Sequence, residues 1–153
     1  MDHQAENTGE GRRLPMLAAS IAVFRDGKVL LAQRGKAPAL GLWSLPGGRI
    51  EPGERLAEAV LRELQEEVGV EARLIGFVDH VEHIERDDAG EIRAHAVIAV
   101  FAGQWTRGEP TLSAEATDTR WVEPLAPGDL KMTRGLPGIL AKAAQLASAA
   151  MDA

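Results

Sequence analysis

The sequence lacks cysteine and tyrosine, and aromatic residues make up only 4% of it. Without cysteine the chain can form neither a disulfide nor a thiolate metal site, which is compatible with a reducing cytosol. No apolar run approaches the roughly 20 residues that a membrane-spanning helix needs. We therefore predict a cytoplasmic protein that makes no membrane contact.

The chain is also short of positive charge. It has 17 Lys and Arg residues against 23 Asp and Glu residues, which gives a net charge of −6 at pH 7. This balance disfavours broad electrostatic binding of a nucleic acid polymer. It does not exclude a small anionic substrate, because bound cations can reverse the local sign of the charge.

The length of 153 residues suits one compact domain with a sizeable core. Residues 1–13 are polar and lack the apolar segment of a secretory signal, so they predict a short disordered tail. We expect residues 14–153 to form a single domain.

Strand and helix patterns are interspersed along that domain. Two apolar runs, 14–24 and 28–34, flank an Asp-Gly turn and predict a hairpin. A loop rich in Gly and Pro follows at 35–53, and then a helix at about 55–68. A longer hairpin is predicted at 71–85 and 91–105, followed by a polar loop at 106–119, a short strand at 120–123 and a helix at 136–151. This order predicts an α/β or α+β sandwich with a mixed sheet between helices.

One segment, 48–70, runs from a glycine-containing loop into the predicted first helix and concentrates acidic residues: GRIEPGERLAEAVLRELQEEVGV. On a helix, Glu63, Glu66 and Glu67 fall within an arc of roughly 100°. Like charges at this spacing repel each other and add nothing to a core. A hard divalent cation such as Mg²⁺, which prefers carboxylate oxygens, would offset that repulsion.

The same helix carries an apolar face for packing. Its members recur at spacings of three and four residues: Ala57, Val60, Leu61, Leu64 and Val68. The sequence therefore predicts one helix that is both a core element and a metal platform.

The segment resembles the Nudix box, G-x5-E-x7-R-E-U-x-E-E-x-G-U, in which U is a bulky aliphatic residue. Every defined position is filled, by Gly48, Glu54, Arg62, Glu63, Leu64, Glu66, Glu67, Gly69 and Val70. A surface helix with a solvated acidic face is the alternative, and it does not account for glycines, arginine and glutamates in one register.

The resemblance covers about residues 14–144 and implies the Nudix fold, an α/β/α sandwich. It implies hydrolysis of the pyrophosphate linkage in a nucleoside diphosphate joined to another moiety. The implied cofactor is Mg²⁺, with Mn²⁺ as a possible substitute. A carboxylate-bound ion of this kind polarises the phosphoryl group and acidifies bound water.

Within the box, the resemblance implies a catalytic role for all three glutamates of the helix. Glu63, Glu66 and Glu67 would be metal ligands, and Arg62 would orient them. The carbonyl of Gly47 is a further candidate ligand. We expect Glu54 to support the site through a salt bridge or cap.

Three further residues are candidates for the same site. Gly48 is a candidate substrate-binding residue; with Gly47 it would allow the backbone to approach the ion, and a simple tight turn is the alternative. Glu115 resembles the loop glutamate that serves in many family members as another metal ligand or as general base, and an ordinary exposed loop acid is the alternative. Arg34 resembles a position that often contacts phosphate or base, and a lone exposed arginine is its alternative.

The box does not specify the group that is attached to the diphosphate. ADP-ribose pyrophosphatases often carry a proline where this chain has Glu85 and Arg86, and dinucleoside polyphosphate hydrolases often use a tyrosine, which is absent. A MutT-like nucleoside triphosphate pyrophosphatase is preferred, with an ADP-ribose or nucleotide-sugar pyrophosphatase as the alternative. A non-catalytic Nudix-fold nucleotide-binding regulator is disfavoured, because the box keeps all its glutamates. A homodimer is compatible with the apolar strands.

Overall fold

The computed structural model describes residues 14–152. The predicted disordered tail, 1–13, lies outside the described residues. Strands and helices follow one another in this order: β1 (Met16–Arg25), β2 (Lys28–Arg34), β3 (Trp43–Ser44), β4 (Gly47–Arg49), α1 (Leu56–Val68), β5 (Glu71–Arg86), β6 (Ile92–Arg107), β7 (Ala116–Val122) and α2 (Leu136–Met151).

The first predicted hairpin is confirmed, with Phe24 paired to Val29 and Arg25 to Lys28. Asp26 and Gly27 both have positive φ, 51° and 78°. Two consecutive residues of positive φ form the tight turn whose twist matches that of the flanking strands. The second hairpin, β5 with β6, is also confirmed and is antiparallel.

The strands form one mixed sheet in the order β3-β2-β1-β6-β5, with β4 also paired to β1 and β7 to β2. The β1–β6 pairing is parallel, from Met16 opposite Ala96 to Phe24 opposite Gln104. The other pairings are antiparallel. This is the mixed sheet that the sequence pattern predicted.

The two helices lie on opposite faces of this sheet. In β1, Ile21 and Val23 belong to one buried cluster, which contains Val60, Leu64 and Val68 of α1. Ala22 and Phe24, which alternate with them, belong to a second cluster, which contains Leu136, Leu140 and Ala143 of α2. Because successive side chains of a strand point to opposite faces, the sheet is covered by α1 on one side and α2 on the other. The α/β/α sandwich is thereby confirmed.

Helix α1 begins one residue later than predicted, with Arg55 as its N-cap in an extended conformation. It ends at Gly69, whose φ of 69° is left-handed and whose amide donates to the carbonyl of Gln65. Helix α2 has the predicted bounds. Neither helix in the described part of the chain is long and apolar enough to cross a membrane.

Two predictions about loops are wrong. The segment 35–53 contains β3 and β4, and the segment 106–119 gives way at Ala116 to β7, four residues before the predicted strand. These short strands are polar or rich in glycine, so they lack the apolar alternation that marks a strand in a sequence. They form because the backbones of β1 and β2 offer hydrogen-bonding edges to them.

Candidate active site

Strand β4 fits between β1 and α1 because two of its residues have no side chain. A Cβ on Gly47 would lie 2.3 Å from the carbonyl oxygen of Ala19. A Cβ on Gly48 would lie 2.4 Å from Cδ of Glu63. The paired glycines therefore bring the backbone of β4 against the acidic face of α1.

The peptide groups of Gly47 point away from β1. Gly47 lies opposite Ser20, between the hydrogen bonds that join Ile21 N to Pro46 O and Ile50 N to Leu17 O. In an antiparallel pair, residues that form hydrogen bonds to the partner strand alternate with residues that do not. Pro46 forms such a bond, so its neighbour Gly47 directs both its N–H and its C=O away from β1. The carbonyl of Gly47 thus lies on the side to which its N–H points.

That N–H donates to Glu67 Oε2 at 3.0 Å. Glu67 is the one buried charged residue in the described part of the chain, with 9% of its surface exposed. Burial raises the pKa of Glu67 to about 7, against the opposing effect of the Gly47 N–H. An ionised carboxylate at this position is therefore costly unless a cation accompanies it.

Glu63 lies one helical turn earlier on α1, with 13% of its side chain exposed. Its Oε1 accepts a hydrogen bond from Arg62 Nη1 at 3.0 Å. Burial also raises the pKa of Glu63, while Arg62 acts in the opposite direction.

Glu115 reaches the same place from the segment before β7. Its carbonyl accepts a hydrogen bond from Gly35 N at 3.0 Å. A Cβ on Gly35 would lie 2.2 Å from the carbonyl oxygen of Ala114, so this approach requires glycine. The side chain of Glu115 accepts from Lys36 Nζ at 2.6 Å.

The chain leading to Glu115 is also tied to the C-terminal end of α1. Thr111 N and Thr111 Oγ1 both donate to the carbonyl of Val68, at 2.9 and 3.3 Å. Further along, Ser113 N donates to Ala116 O, and Ala116 N donates to Ser113 Oγ. These contacts join the loop to the helix that carries the other glutamates.

One oxygen each of Glu63, Glu67 and Glu115 lies within 4.8 Å of the other two. Two ligands on opposite sides of a Mg²⁺ ion are about 4 Å apart, so small side-chain rotations would complete a coordination site. Each carboxylate also keeps one oxygen that accepts no hydrogen bond within the described chain. This donor set of hard oxygens fits a divalent cation, and we call it the three-carboxylate cluster.

Arg62 binds the glutamates around this cluster. Its Nη1 donates to Glu63 at 3.0 Å and to Glu66 at 3.1 Å. Its Nε and Nη2 donate to the two carboxylate oxygens of Glu54 at 2.6 and 2.8 Å, and Nη2 also reaches the carbonyl of Arg49 at 3.1 Å. The guanidinium thus fixes the helix glutamates relative to the loop that precedes α1.

Two predicted residues lie beside the cluster rather than in it. The side chain of Glu66 is 60% exposed and is paired with Arg62. The Nε of Arg34 donates to the carbonyl of Pro38 at 2.8 Å. Arg34 is nevertheless close enough for its charge to lower the pKa of Glu67.

Sequence reasoning missed Gly35 and Lys36. Both contact Glu115, one through its backbone and the other through its side chain. A lone lysine in a loop rich in Gly and Pro carries no motif, and its only signal is its position two residues after Arg34.

Known proteins resemble this chain in sequence and in fold. The sequence matches the NUDIX domain family over residues 14–142. It is 34% identical over 124 residues to a CTP pyrophosphohydrolase of Escherichia coli, covering 72% of this chain and 82% of that protein. It is 31% identical over 113 residues to an ADP-ribose pyrophosphatase of Methanocaldococcus jannaschii, covering 73% and 67%.

A solved structure gives the same result for the fold. The crystal structure of a MutT NUDIX hydrolase from Burkholderia pseudomallei matches with a TM-score of 0.73 at 28% identity, over 85% of this chain and 98% of that one. The family match and the pyrophosphohydrolase relatives define a hydrolase that acts on phosphoric anhydride bonds. The three-carboxylate cluster offers the oxygen ligands that a divalent cation would need. The chain belongs to the Nudix family.

Proposed function

We propose that this Nudix hydrolase cleaves nucleoside triphosphates to the monophosphate and pyrophosphate, with Mg²⁺ as its cofactor. The three-carboxylate cluster is the observation that supports the metal requirement. Mn²⁺ is expected to replace Mg²⁺, because both ions prefer oxygen ligands. The reaction takes place in the cytoplasm on a small nucleotide, not on a nucleic acid polymer, and a homodimer remains a prediction.

The proposed ligands are Glu63, Glu67 and Glu115, supplemented by Glu66 and the carbonyl of Gly47. The Gly47 carbonyl is included because it points toward the side on which Glu67 lies. Glu66 is included because it is close enough to Glu63 to raise the pKa of that carboxyl group.

The remaining residues hold or neutralise these groups. Arg62 keeps the helix glutamates in place, and Glu54 keeps Arg62 in place. Arg34 supplies positive charge for the substrate phosphates. Gly48, the other proposed substrate residue, has no side chain and so leaves room for the carboxylate of Glu63 against the backbone. When bound, the metal would neutralise charge on the phosphoryl oxygens and activate water.

The preference for a triphosphate rests on the relatives. The Escherichia coli protein acts on CTP by its name, and the chain covers 82% of it. ADP-ribose is the second candidate, since the Methanocaldococcus protein is named an ADP-ribose pyrophosphatase at 31% identity. Both substrates contain a pyrophosphate linkage that the same cluster would bind.

The test is hydrolysis of a panel of CTP, ATP, GTP, their deoxy forms, ADP-ribose and UDP-glucose with Mg²⁺, with products separated and identified. A triphosphatase of the proposed kind releases pyrophosphate and a monophosphate. Release of AMP and ribose 5-phosphate as the fastest reaction would favour the second candidate.

Variants of α1 then test the site itself. Glu67→Gln and Glu66→Gln each remove one carboxylate from the acidic face, and both should lower kcat by about 100-fold or more. Glu58→Gln is the matched control, because Glu58 is exposed on the first turn of the same helix and lies 3.8 Å from Arg55. Full activity in Glu67→Gln would refute the proposed metal site.

A further inference from the structure

Each glutamate of the three-carboxylate cluster has one oxygen engaged by a group outside the cluster. Glu67 accepts from the Gly47 amide, and Glu63 accepts from Arg62. Glu115 accepts from Lys36 Nζ at 2.6 Å. The three partners therefore differ in kind: a fixed backbone dipole, a guanidinium and an ammonium.

Two of these partners are held in place, and the third is not. The amide of Gly47 is part of β4, and Arg62 is fixed by hydrogen bonds to Glu54 and to a backbone carbonyl. The side chain of Lys36 is 59% exposed, and Glu115 is its one ion-pair partner within the described chain. An exposed lysine–carboxylate pair is weak and easily exchanged.

The backbone beneath this pair is fixed. Gly35 N donates to the carbonyl of Glu115, and Arg34 is paired with Ala116 at the end of the β2–β7 ladder. Lys36 is therefore tethered next to Glu115 even when its side chain turns away. Its flexible stem allows the ammonium to move a few ångströms without leaving the site.

We infer that Lys36 and the divalent cation compete for Glu115, and that Lys36 passes to the substrate phosphates when the cation binds. In the metal-free protein the ammonium neutralises Glu115. A bound cation takes over that carboxylate, and the released ammonium lies beside the place where the phosphates meet the metal. This inference rests on the proposed function, since it takes Glu115 to be a metal ligand.

The inference makes two predictions of opposite direction for one substitution. Lys36→Met keeps the length of the side chain and removes its charge. Without the competing ammonium, Mn²⁺ should bind the metal-free protein about two- to fivefold more tightly, the range expected for loss of an exposed ion pair. The KM for the nucleotide should rise about fivefold, because a charge-assisted contact to phosphate is lost.

Mn²⁺ binding is measured without substrate, from the electron paramagnetic resonance signal of the free ion. Lys36→Arg keeps the charge and should resemble the wild type in both measurements. Lys28→Met is the matched control for net charge, because Lys28 is exposed at the opposite end of β2, about 20 Å away. It should change neither the Kd for Mn²⁺ nor the KM.

Unchanged or weaker Mn²⁺ binding in Lys36→Met would overturn the inference, as would an unchanged KM. Glu115→Gln separates this failure from failure of the proposed function. If Glu115→Gln does not weaken Mn²⁺ binding, Glu115 is not a ligand and the proposed site is wrong. If it does weaken binding and Lys36→Met has no effect, only the role of Lys36 is wrong. The inference is supported if Lys36→Met tightens Mn²⁺ binding in the wild-type background but not in a protein that also carries Glu115→Gln.

Discussion

Arg62 and Glu54 form a two-pronged ion pair, with Nε to Oε2 at 2.6 Å and Nη2 to Oε1 at 2.8 Å. Glu54 Oε1 also accepts a hydrogen bond from the amide of Glu51. One carboxylate therefore closes the turn before α1 and anchors that turn to the helix. Because the same guanidinium reaches Glu63, the turn and the three-carboxylate cluster are mechanically connected.

The first prediction concerns the two hydrogen bonds that the Arg62 guanidinium donates to the Glu54 carboxylate. Arg62→Lys keeps the charge but cannot donate to Glu54 through two nitrogens while also reaching Glu63 and Arg49 O. We expect Mn²⁺ binding to weaken by about tenfold or more, as is usual when a group that orients metal ligands is lost. Electron paramagnetic resonance of free Mn²⁺ measures the change. Arg55→Lys is the control, because the side chain of Arg55 is 88% exposed and its one ion pair among the described residues is a 3.8 Å contact with Glu58. Equal affinities for the Arg62→Lys protein and the wild type would contradict the prediction.

The second prediction follows from the pKa of Glu54, which its hydrogen bond to Arg62 lowers from 4.5 to about 2. Between these two values the unfolded chain binds more protons than the folded protein, so stability falls as the pH falls. The stability that ionised Glu54 contributes is complete above pH 4.5 and is lost as the pH drops toward 2. Urea denaturation from pH 6 to pH 3 should show a steeper loss of stability for the wild type than for Glu54→Gln. If the free energy of unfolding falls equally with pH in both proteins, Glu54 is not the cause of the acid sensitivity.

The third prediction uses two glycines in different surroundings. Gly48→Ala would place a Cβ 2.4 Å from Cδ of Glu63, so we expect the carboxylate to be displaced and activity to fall sharply. Gly138→Ala meets nothing within 4 Å and lies in α2, where alanine should be neutral or should stabilise by up to about 1 kcal/mol. Circular dichroism establishes that both variants fold, and kcat and KM are then compared. Wild-type kinetics in Gly48→Ala would mean that Glu63 can move without loss of function.

Features that depend on neighbouring residues could be predicted from the sequence. The alternation of apolar residues and the Asp26-Gly27 turn predict the first hairpin, and the helical spacing predicts that Val60, Leu64 and Val68 are buried on α1. Ala57, predicted on the same face, is only half-buried, whereas Ala59 is buried. The box motif places Glu63 and Glu67 on one side of that helix. Local periodicity determines these features, and the packing in the structure agrees with them.

Features that depend on distant pairing could not be predicted in detail. Glu115 joins Glu63 only because Arg34 pairs with Ala116, a contact between residues far apart in the chain. In the strand that makes this contact, Ala116 is followed by three polar residues, 117–119, so the sequence pattern assigned this part of it to a loop. The ion pair of Lys36 with Glu115 follows from the same pairing and has no signal of its own.

The last prediction concerns the burial of Glu67. Its pKa is raised from 4.5 to about 7, so the folded metal-free protein holds this proton more tightly than the unfolded chain does. The resulting stability is complete below pH 4.5 and is lost as the pH rises through 7. At pH 8 the buried carboxylate is ionised, and Glu67→Gln should therefore raise the free energy of unfolding, by about 3 kcal/mol at most. The amide oxygen of glutamine can still accept the hydrogen bond from Gly47.

Mg²⁺ should stabilise the Glu67→Gln protein less than it stabilises the wild type. Mg²⁺ stabilises whichever state binds it, so it should raise the Tm of the wild type at pH 8 by more than that of Glu67→Gln. Glu58→Gln, exposed on the same helix, should behave as the wild type in both measurements. A Glu67→Gln protein that is less stable than the wild type without metal would show that the carboxylate of Glu67 contributes to folding. In that case its burial would serve the fold rather than the binding of a cation.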